Sequence, residues 1–405
     1  MREEDLSGIA TWLAQSGLAG LSEPDLLRGF CERCRAAGLD LTRSLVFIDT
    51  LHPVYEGRAF PWRHDEPVEQ AEIAYGPTNQ GGSAEDNWRH TAFYQLWQNG
   101  GAELRLRIGL GEPVLYYPAD RLQAEGQTDY IAFVHRFAAA GVIGEMDGFF
   151  SHWTTEHAEG FSEDDLLALR RLMPQLAIAI KCASLTRIAG TLVDVYLGKD
   201  AGQRVLSGRI TRGVADRIHA ALWFSDLRGY TTITDTAAPD EIIPLLNDYA
   251  EAAITSVQEA GGDVLKLIGD GVLAIFKAED PAIACQQALQ AEEALRHRIV
   301  ELNEKRRQAG RPITSVYLGL HIGDVFYGNI GSDDRLDFTV VGPAVNEVSR
   351  IAAMCRSIDR AMLLSDRFVA ALPGPTQARL VSVGRYALRG IGRAQELFTI
   401  DPGLL

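Results

Sequence analysis

Two short apolar runs joined by a glycine-rich turn constrain the fold of this chain more than any other feature of its sequence. The runs cover residues 264–268 and 272–276, and Gly269, Asp270 and Gly271 separate them. Apolar runs joined by so short a glycine-containing link form an antiparallel hairpin. Helical spacing of apolar residues precedes this hairpin over residues 240–260, and a charged helical stretch follows it to about residue 308. The sequence therefore predicts a strand pair between two helices.

Further strand patterns lie on both sides of this segment. A strand at residues 220–225 precedes the first helix, and a helix begins at Pro343 after three more strands, at residues 316–322, 325–330 and 336–341. The order β-α-β-β-α-β is that of a ferredoxin-like core with extra strands, which places this half of the chain in the α+β class. That fold alone does not specify a function.

The first half of the chain has a different pattern. We predict helices at residues 6–15, 25–37 and 128–140, strands at 44–50 and 147–155, and a long helix from Ser162 to about residue 188. Two glycines in residues 196–202 interrupt the helical pattern. We therefore predict an N-terminal domain over residues 1–190, a linker over 191–217 and a C-terminal domain over 218–405.

Charge and cysteine content exclude several classes of partner. The formal net charge of −15 argues against a nucleic-acid partner. We find no apolar run of about 18 residues and no leader pattern, so we expect neither a membrane span nor a secretory signal. Five scattered cysteines do not make a disulfide framework, which indicates a cytoplasmic protein. Cys31 and Cys34 form a CxxC, which we interpret as a half-buried helix face because structural metal sites usually need four ligands.

Two aspartates stand where the predicted strands end. Asp226 follows the strand at residues 220–225, and Asp270 occupies the hairpin tip. Two carboxylates about 4 Å apart repel by roughly 4 kcal/mol at an effective dielectric of 20, and a raised pKa or a divalent cation relieves the repulsion. Mg²⁺ favours one or two carboxylates completed by substrate phosphates and water. Gly229 would let the Leu227–Thr231 segment bring its backbone N–H groups close to a triphosphate.

Four motifs in the C-terminal half resemble those of the class III adenylate/guanylate cyclases. They cover residues 224–231, 266–271, 318–332 and 338–350, in the order found in that family. Tyr230 stands where the family more often has Phe. The resemblance extends over about residues 220–400 and implies an enzyme that converts a nucleoside triphosphate to a 3′,5′-cyclic nucleotide and pyrophosphate. In the first half, the Phe161–Ile180 stretch and the element order resemble a GAF-like sensor domain.

The resemblance implies a role for each matching residue. Asp226, Asp270 and the Leu227 carbonyl would bind two Mg²⁺ or Mn²⁺ ions. Asn346 would orient the ribose and Arg350 would stabilise the pentavalent phosphorus, and their i, i+4 spacing places both on one helix face. The remaining matches would bind substrate. Lys266 and Thr339 would bind the purine, and Gly229, Tyr230 and Thr231 would bind the phosphates. Arg389 would bind the triphosphate, and the alternative is that Arg389 is an exposed surface arginine without this role.

Lys266 and Thr339 favour adenine. A lysine can donate to adenine N1, and a threonine hydroxyl can accept from or donate to the 6-amino edge. Guanine would need an acceptor, typically Glu at the lysine position. The sequence therefore predicts an adenylate cyclase. A guanylate cyclase is the nearest alternative, and a catalytically silent nucleotide-binding module is the alternative from another class.

In the family the metal aspartates and the purine and transition-state residues come from opposite protomers. This chain carries both sets, so the resemblance implies a homodimer with two equivalent sites.

Gly261-Gly262-Asp263 suggests the GGDEF signature of diguanylate cyclases, but it follows a helix and is not at the hairpin tip. Scattered histidines without CxxCH do not indicate haem, and His321 is interpreted as structural. The N-terminal domain has enough aromatic residues to line a pocket for an unidentified small molecule, or to fill a core.

Overall fold

The computed structural model describes residues 1–65, 71–113, 116, 119–137, 143–144 and 146–401. The chain divides into two compact units, Met1–Leu192 and Val193–Leu405. The predicted linker, residues 191–217, contains the end of one helix, a second short helix and the start of a strand.

The N-terminal unit is an antiparallel sheet with helices packed against it. Its elements are α1 (Glu3–Leu18), α2 (Glu23–Ala36), β1 (Arg43–Asp49), β2 (Gly57–Arg63), β3 (Ile73–Tyr75), α3 (Ser83–Arg89), α4 (Ala92–Asn99), β4 (Glu103–Leu106), α5 (Ala119–Ala124), β5 (Asp129–Arg136), β6 (Gly148–Thr155) and α6 (Glu163–Leu197), with a 3₁₀ turn at Ile108–Leu110. The strands that the structure describes lie in the order β3-β2-β1-β6-β5-β4.

The prediction of a helix at residues 128–140 is wrong. Strand β5 occupies Asp129–Arg136, and residues 138–140 lie outside the described part of the chain. The first six residues of β5 are buried, because side chains pack against both faces of the sheet at this strand. An apolar run buried on both faces lacks the two-residue alternation that identifies a strand, so periodicity cannot separate it from a helix.

Aromatic and apolar side chains fill two cores in this unit, one on each face of the sheet. Cys31 and Cys34 are both fully buried in the core that contains α1, α2 and α6, so the half-buried helix face is in fact an interior one. The other core contains Phe93, Tyr130 and Phe150, among others. The middle of the unit, which shows no clear pattern in the sequence, holds β2, α3 and α4.

Helix α6 contradicts the prediction that the sequence contains no apolar run long enough to cross a membrane. An 18-residue window in this helix has a mean hydropathy of 1.5, so its length and composition alone would allow it to cross a membrane. One third of that window, 33%, is buried within the structure. Leu169, Leu172, Leu176 and Ile180 of α6 are all fully or almost fully buried in the N-terminal core.

The C-terminal unit is built on a second sheet. Its elements are α7 (Lys199–Leu206), β7 (Ala215–Leu227), α8 (Tyr230–Thr236), α9 (Pro239–Glu259), β8 (Asp263–Ile268), β9 (Gly271–Phe276), α10 (Pro281–Gln308), β10 (Val316–Gly331), β11 (Leu336–Val341), α11 (Pro343–Ser357), β12 (Met362–Ser365), α12 (Asp366–Ala371), α13 (Gly374–Gln377), β13 (Leu380–Tyr386) and β14 (Gln395–Ile400).

The described strands lie in the order β13-β14-β12-β10-β7-β9-β8, with β11 paired to β10. The central four, β10-β7-β9-β8, are mutually antiparallel and are connected through α9 and α10. This is the predicted β-α-β-β-α-β core of the α+β class, with β11 to β14 added.

Strand β10 is one continuous strand, whereas the sequence indicated two. Its pairing with β7 runs without interruption through Gly323↔Ala220 and Asp324↔His219. Glycine and aspartate in sequence are typical of a turn. Here Gly323 serves packing, because a Cβ at this position would lie 2.8 Å from the Cβ of Ala344 in α11.

Candidate active site

The end of β7 and the tip of the β8–β9 hairpin bring two carboxylates together. In the β7–β9 pairing Ser225 is opposite Val272, so Asp226 lies beside the turn that carries Asp270. The Leu227 amide donates a 3.2 Å hydrogen bond to Asp270 Oδ2. The sequence-predicted cluster of Asp226, Leu227 and Asp270 is therefore assembled within one chain.

Two glycines let the hairpin tip approach the strand. Gly269 has φ 63°, a left-handed conformation that glycine adopts at no steric cost. At Gly271 a Cβ would lie 3.0 Å from the Ser225 carbonyl oxygen and 3.2 Å from that of Ile268. A side chain at this position would thus push the tip, and Asp270 with it, away from Asp226.

The acid pair is electrostatically suited to a cation. Burial, a hydrogen bond with Asp270 and repulsion from its charge raise the pKa of Asp226 to about 6, and Arg356 opposes the rise. A divalent cation between the two carboxylates would remove the repulsion. No group of three or more His, Cys, Asp or Glu side chains suited to a metal occurs among the described residues. A cation here would therefore complete its coordination with backbone, water or substrate oxygens, as Mg²⁺ does.

A cavity of about 190 Å³ adjoins the acid pair. Asp226, Leu227 and Asp270 line it together with residues of α9, including Asn247 and Ala250. Gly229, with φ 70°, begins helix α8, whose first residues are Tyr230 and Thr231. These three residues are not among those lining the cavity, and their predicted contact with phosphate stays a prediction.

Lys266 and Thr339 lie on neighbouring parts of the fold. Lys266 is in β8, and its ammonium group forms an ion pair with Asp337 of β11. Asp337 and Thr339 are two residues apart on that strand and so point to the same face. Lys266 therefore contacts the face of β11 that carries Thr339. Asp337 is not among the residues predicted from the sequence, and the two-residue alternation of the strand was the signal that could have identified it.

Asn346 and Arg350 project from helix α11. Both side chains are exposed, and neither forms a hydrogen bond or an ion pair within the described part of the chain. The helix lies directly on β10, because a Cβ at Gly319 would stand 2.6 Å from the Ala352 nitrogen and 2.7 Å from the Val348 oxygen. Glycine at this position thus permits the close backbone contact that sets the distance between α11 and β10.

A buried polar group supports the same helix. His321 is fully buried in β10, and its Nδ1 is 2.7 Å from Ser365 Oγ while its Nε2 is 3.1 Å from Glu347 Oε2. Burial lowers the pKa of His321 to about 4, so the ring is neutral near pH 7. Glu347 follows Asn346 on α11, so His321 contacts the helix beneath the exposed site. This agrees with the structural role predicted for it.

Arg389 lies in the exposed turn between β13 and β14. Its side chain contacts none of the other predicted site residues among the described hydrogen bonds and ion pairs. Its role as a triphosphate ligand stays a prediction. Within a single chain, the structure brings Asp226, Leu227 and Asp270 together at the cavity and Lys266 to the face of β11 that carries Thr339. Asn346 and Arg350 lie exposed on α11, with no hydrogen bond or ion pair to either group among the described residues.

Helix α7 is attached to the edge of β8 by a polar network that the sequence did not predict. Lys277 Nζ lies 2.9 Å from Asp200 Oδ1 and 2.9 Å from Asp263 Oδ2. Burial opposes ionisation of Asp200, but the neighbouring Lys277 ammonium and Arg204 guanidinium hold the pKa of this carboxyl below its ordinary value. At Gly198, next to α7, a Cβ would be 2.8 Å from the Val264 oxygen. The register of β8 is irregular at that point, two residues before Lys266.

Comparisons with known proteins agree with this architecture. Residues 216–401 match the family model described as adenylate and guanylate cyclase catalytic domain. The chain is 34% identical over 163 residues to an adenylate cyclase of Anabaena cylindrica, covering 40% of this chain and 32% of that one. It is 28% identical over 182 residues to adenylate cyclase 1 of Rhizobium meliloti, covering 44% and 27%. The chain thus spans about a third or less of these relatives' length.

Solved structures are similar to the same region. The adenylyl cyclase CyaB from P. aeruginosa is 23% identical with a TM-score of 0.42, covering 46% of this chain and 96% of that one. The guanylyl cyclase Cya2 is 24% identical with a TM-score of 0.41, covering 46% and 93%. By the family model and the sequence relatives, residues 216–401 are similar to the adenylate and guanylate cyclase catalytic domain.

Proposed function

We propose that this protein is an adenylate cyclase that converts ATP to 3′,5′-cyclic AMP and pyrophosphate at a homodimer interface. The observation that carries the proposal is the meeting of Asp226 and Asp270 at a cavity in one part of the domain, with Asn346 and Arg350 exposed and unpartnered elsewhere in the described chain. Each group is half of a site for internal phosphoryl transfer.

The acid pair supplies the metal half. Asp226 and Asp270, with the Leu227 carbonyl, would hold Mg²⁺ or Mn²⁺. Bound cations would lower the pKa of the ribose 3′-hydroxyl and neutralise phosphate charge. The raised pKa of Asp226 supports this role. It reflects the cost of placing two negative charges side by side, and a bound cation would remove that cost.

Helix α11 supplies the transition-state half. Asn346 would hold the ribose so that its 3′-oxygen lies in line with the α-phosphorus, and Arg350 would donate hydrogen bonds to the equatorial oxygens as charge develops. An arginine in this role contributes about 10³–10⁵ in rate in other phosphoryl-transfer enzymes. A side chain that has no partner within the described part of the chain is available for this task.

Lys266 and Thr339 would select adenine. Lys266 can donate to N1, and the Thr339 hydroxyl can pair with the 6-amino group. The Lys266–Asp337 ion pair holds the lysine on the face of β11 that carries Thr339. Guanylate cyclase activity is the alternative, and comparing turnover of ATP and GTP with Mn²⁺ or Mg²⁺ distinguishes the two. The same assay excludes the catalytically silent alternative if either nucleotide is cyclised.

A mixing experiment tests the shared site. Asp226→Ala and Arg350→Ala should each be inactive alone, and an equimolar mixture should recover up to about a quarter of wild-type activity, because statistical pairing makes half of the dimers mixed and each mixed dimer has one intact site. A mixture that stays as inactive as its components would refute the cross-chain site. Asp226→Ala mixed with Asp270→Ala is the matched control, since both changes fall in the same half-site and no mixed dimer has an intact site.

We further propose a regulatory role for the N-terminal unit. Its sheet order and the long helix α6 are compatible with a GAF-like sensor that takes a small molecule. Cytoplasmic location is proposed from the cysteine content. The regulatory proposal can be tested in two steps. Small molecules are first screened for those that raise the melting temperature of the protein, and cyclase turnover is then measured with each molecule that binds.

A further inference from the structure

Glu347 is a largely enclosed carboxylate that neither half of the proposed site uses. Its side chain is 13% exposed, although it lies on α11 between Asn346 and Arg350, which are both exposed. Burying a carboxylate costs free energy that an apolar side chain of similar size would not cost. An enclosed acid at this place therefore indicates a need for directed polar contacts that apolar packing alone does not meet.

Two strands direct nitrogen atoms at the Glu347 carboxylate. Gln395 Nε2 of β14 donates a 2.9 Å hydrogen bond to Oε2, and His321 Nε2 of β10 lies 3.1 Å from the same oxygen. Strand β12 lies between β10 and β14 in the sheet. Because the two contacts come from strands on either side of β12, they restrict movement of the carboxylate across the sheet.

The contacts of His321 determine which imidazole nitrogen carries the proton. Ser365 Oγ accepts a 3.2 Å hydrogen bond from the Phe368 amide and lies 2.7 Å from His321 Nδ1. The serine hydroxyl can therefore donate its proton to Nδ1, which leaves the single proton of the neutral ring on Nε2. The opposite tautomer would direct a lone pair at the Glu347 carboxylate. The atom that faces Glu347 is thus an N–H group.

The first turn of α11 has few apolar contacts to fix its rotation. Five residues of this helix are buried: Ala344, Val348, Ile351, Ala352 and Cys355. Of these, only Ala344 precedes Asn346, and Val345 beside it is partly buried. Consecutive residues of an α-helix are about 100° apart, so Asn346 and Arg350 lie on one side of Glu347 and turn with it. A rotation of about 10° moves a group about 6 Å from the helix axis by about 1 Å.

We propose that Glu347 is a positioning residue that fixes the rotation of α11 through its contacts with His321 and Gln395. Asn346 and Arg350 thereby meet the ribose and the α-phosphate in the orientation that in-line attack requires. A misplacement of about 1 Å can cost about 10² in rate. The assignment rests on the proposed function for the identity of the substrate, whereas the contacts of Glu347 with the sheet are independent of the substrate.

Two substitutions at Glu347 separate polar contact from packing. Glu347→Met keeps a similar volume without an acceptor oxygen and should lower kcat for ATP by roughly 10², with KM changed less than about threefold, because the positioned groups act in the transition state. Glu347→Gln keeps an acceptor oxygen for Gln395 and should retain at least about a third of wild-type kcat. Glu301→Met, which replaces an exposed carboxylate on α10, is the matched control and should behave as wild type.

A substitution on the opposite side of the contact gives an independent measurement. Gln395→Met removes one of the two contacts to the carboxylate and leaves His321 in place. We expect a smaller loss in kcat than for Glu347→Met, of about tenfold, again with little change in KM. Wild-type kcat in a folded Gln395→Met variant would overturn the role of this contact.

A second background tests whether the effect passes through Arg350. In Arg350→Ala the group that Glu347 positions is already absent, so adding Glu347→Met should lower the remaining kcat by less than about tenfold. Non-additivity of this kind is expected of residues that act as one unit. A loss of roughly 10² in both backgrounds would show that Glu347 acts elsewhere and would overturn the proposal.

Hydrogen exchange measures the hold on α11 without any activity. The amides of residues 347–351 are the first with partners inside the helix. They should exchange at least about tenfold faster in Glu347→Met than in wild type or Glu347→Gln, while the amides of α10 exchange at unchanged rates. Equal rates at residues 347–351 in all three proteins would overturn the proposal.

The outcomes distinguish this proposal from the proposed function. If wild type cyclises neither ATP nor GTP while Glu347→Met frees the amides of α11, the hold of Glu347 on the helix is supported and the proposed function is rejected. Unchanged cyclase activity in Glu347→Met overturns the positioning role and retains the proposed function. Equal losses of kcat in Glu347→Met and Glu347→Gln overturn it as well, because the acceptor oxygen is then not the cause.

Discussion

The backbone amide of Leu227 donates a hydrogen bond of 3.2 Å to the Asp270 carboxylate, which joins the end of strand β7 to the tip of the β8–β9 hairpin. Asp270 is thereby held beside Asp226, and both carboxylates line one cavity. This contact connects the sequence motifs at residues 224–231 and 266–271, and several expected properties of the protein depend on it.

Divalent cations should stabilise the protein in a pH-dependent way. Burial and Asp270 raise the pKa of Asp226 to about 6, so the folded apoprotein binds a proton there more tightly than the unfolded chain does. Ionising Asp226 therefore costs stability as the pH rises through about 4 to 6, and a cation offsets that cost. We expect Mn²⁺ to raise the melting temperature at pH 7.5 and to do so much less at pH 5.

Asp226→Asn provides the control for this effect. The neutral amide should leave the metal-free protein at least as stable as wild type at pH 7.5, and should abolish the Mn²⁺-dependent rise in melting temperature. Asp235→Asn, an exposed carboxylate on α8, should behave as wild type. An equal rise with Mn²⁺ in wild type and Asp226→Asn contradicts the metal assignment.

Gly271→Ala should weaken metal binding by displacing the hairpin tip. The added Cβ would meet the Ser225 and Ile268 carbonyl oxygens at 3.0 and 3.2 Å, so the turn must move by a few tenths of an ångström. We expect an increase of about tenfold in the Mn²⁺ concentration needed for half-maximal activity, equivalent to roughly 1.4 kcal/mol. Gly392→Ala, where a Cβ meets nothing within 4 Å, is the control.

Gly319→Ala should lower the free energy of unfolding. The added Cβ would stand 2.6 Å from the Ala352 nitrogen, and helix backbone cannot yield as a side chain does. Overpacking of this kind costs about 1–3 kcal/mol, and because α11 carries Asn346 and Arg350 we expect turnover to fall as well. Urea denaturation monitored by tryptophan fluorescence measures the first effect. Gly392→Ala again serves as the comparison, and equal stability of the two variants would show that α11 is not seated on Gly319.

A double-mutant cycle on Lys277 and Asp200 should give a favourable coupling of about 1 kcal/mol at pH 7. The two groups are 2.9 Å apart and about a quarter exposed, so their attraction is less screened than that of surface pairs. Lys277→Met, Asp200→Asn and the double variant supply the cycle, measured by urea denaturation. Coupling indistinguishable from zero would show that the Lys277–Asp200 pair does not help to hold α7 to the sheet.

Arg350→Ala should lower kcat for ATP by at least about 10³ while changing KM by less than tenfold, because an interaction made in the transition state contributes little to ground-state binding. Arg307→Ala, at an exposed position on α10, should change kcat far less. Steady-state kinetics with a cyclic nucleotide immunoassay provides both parameters. Equal losses in kcat and in substrate affinity would contradict the role proposed for Arg350.

The sequence predicted the chemistry-bearing elements of the C-terminal unit with few errors. The hairpin at Gly269 and Asp270 was identified because a short glycine-containing link between apolar runs has one common solution. The helix that begins at Pro343 was also predicted. Such features depend on residues that are close together in the sequence, so the sequence alone is enough to predict them.

Errors occurred where long-range packing outweighed local pattern. Residues 129–136 form a strand because their neighbours in the sheet bury both faces, and the same run alone suits a helix. The Gly323-Asp324 pair suggests a turn, but pairing of β10 with β7 continues through it. In each case the deciding partner lies far along the chain.

What the sequence by itself determined is the set of groups: two aspartates at strand ends, a lysine on a hairpin strand, and an asparagine and arginine four residues apart. What only the tertiary structure decided is their association. Leu227 and Gly271 hold Asp270 beside Asp226, Asp337 holds Lys266 on the Thr339 face, and Gly319 seats α11. These contacts are a hydrogen bond, an ion pair and close backbone approaches between residues separated by tens of positions, and no local periodicity records them.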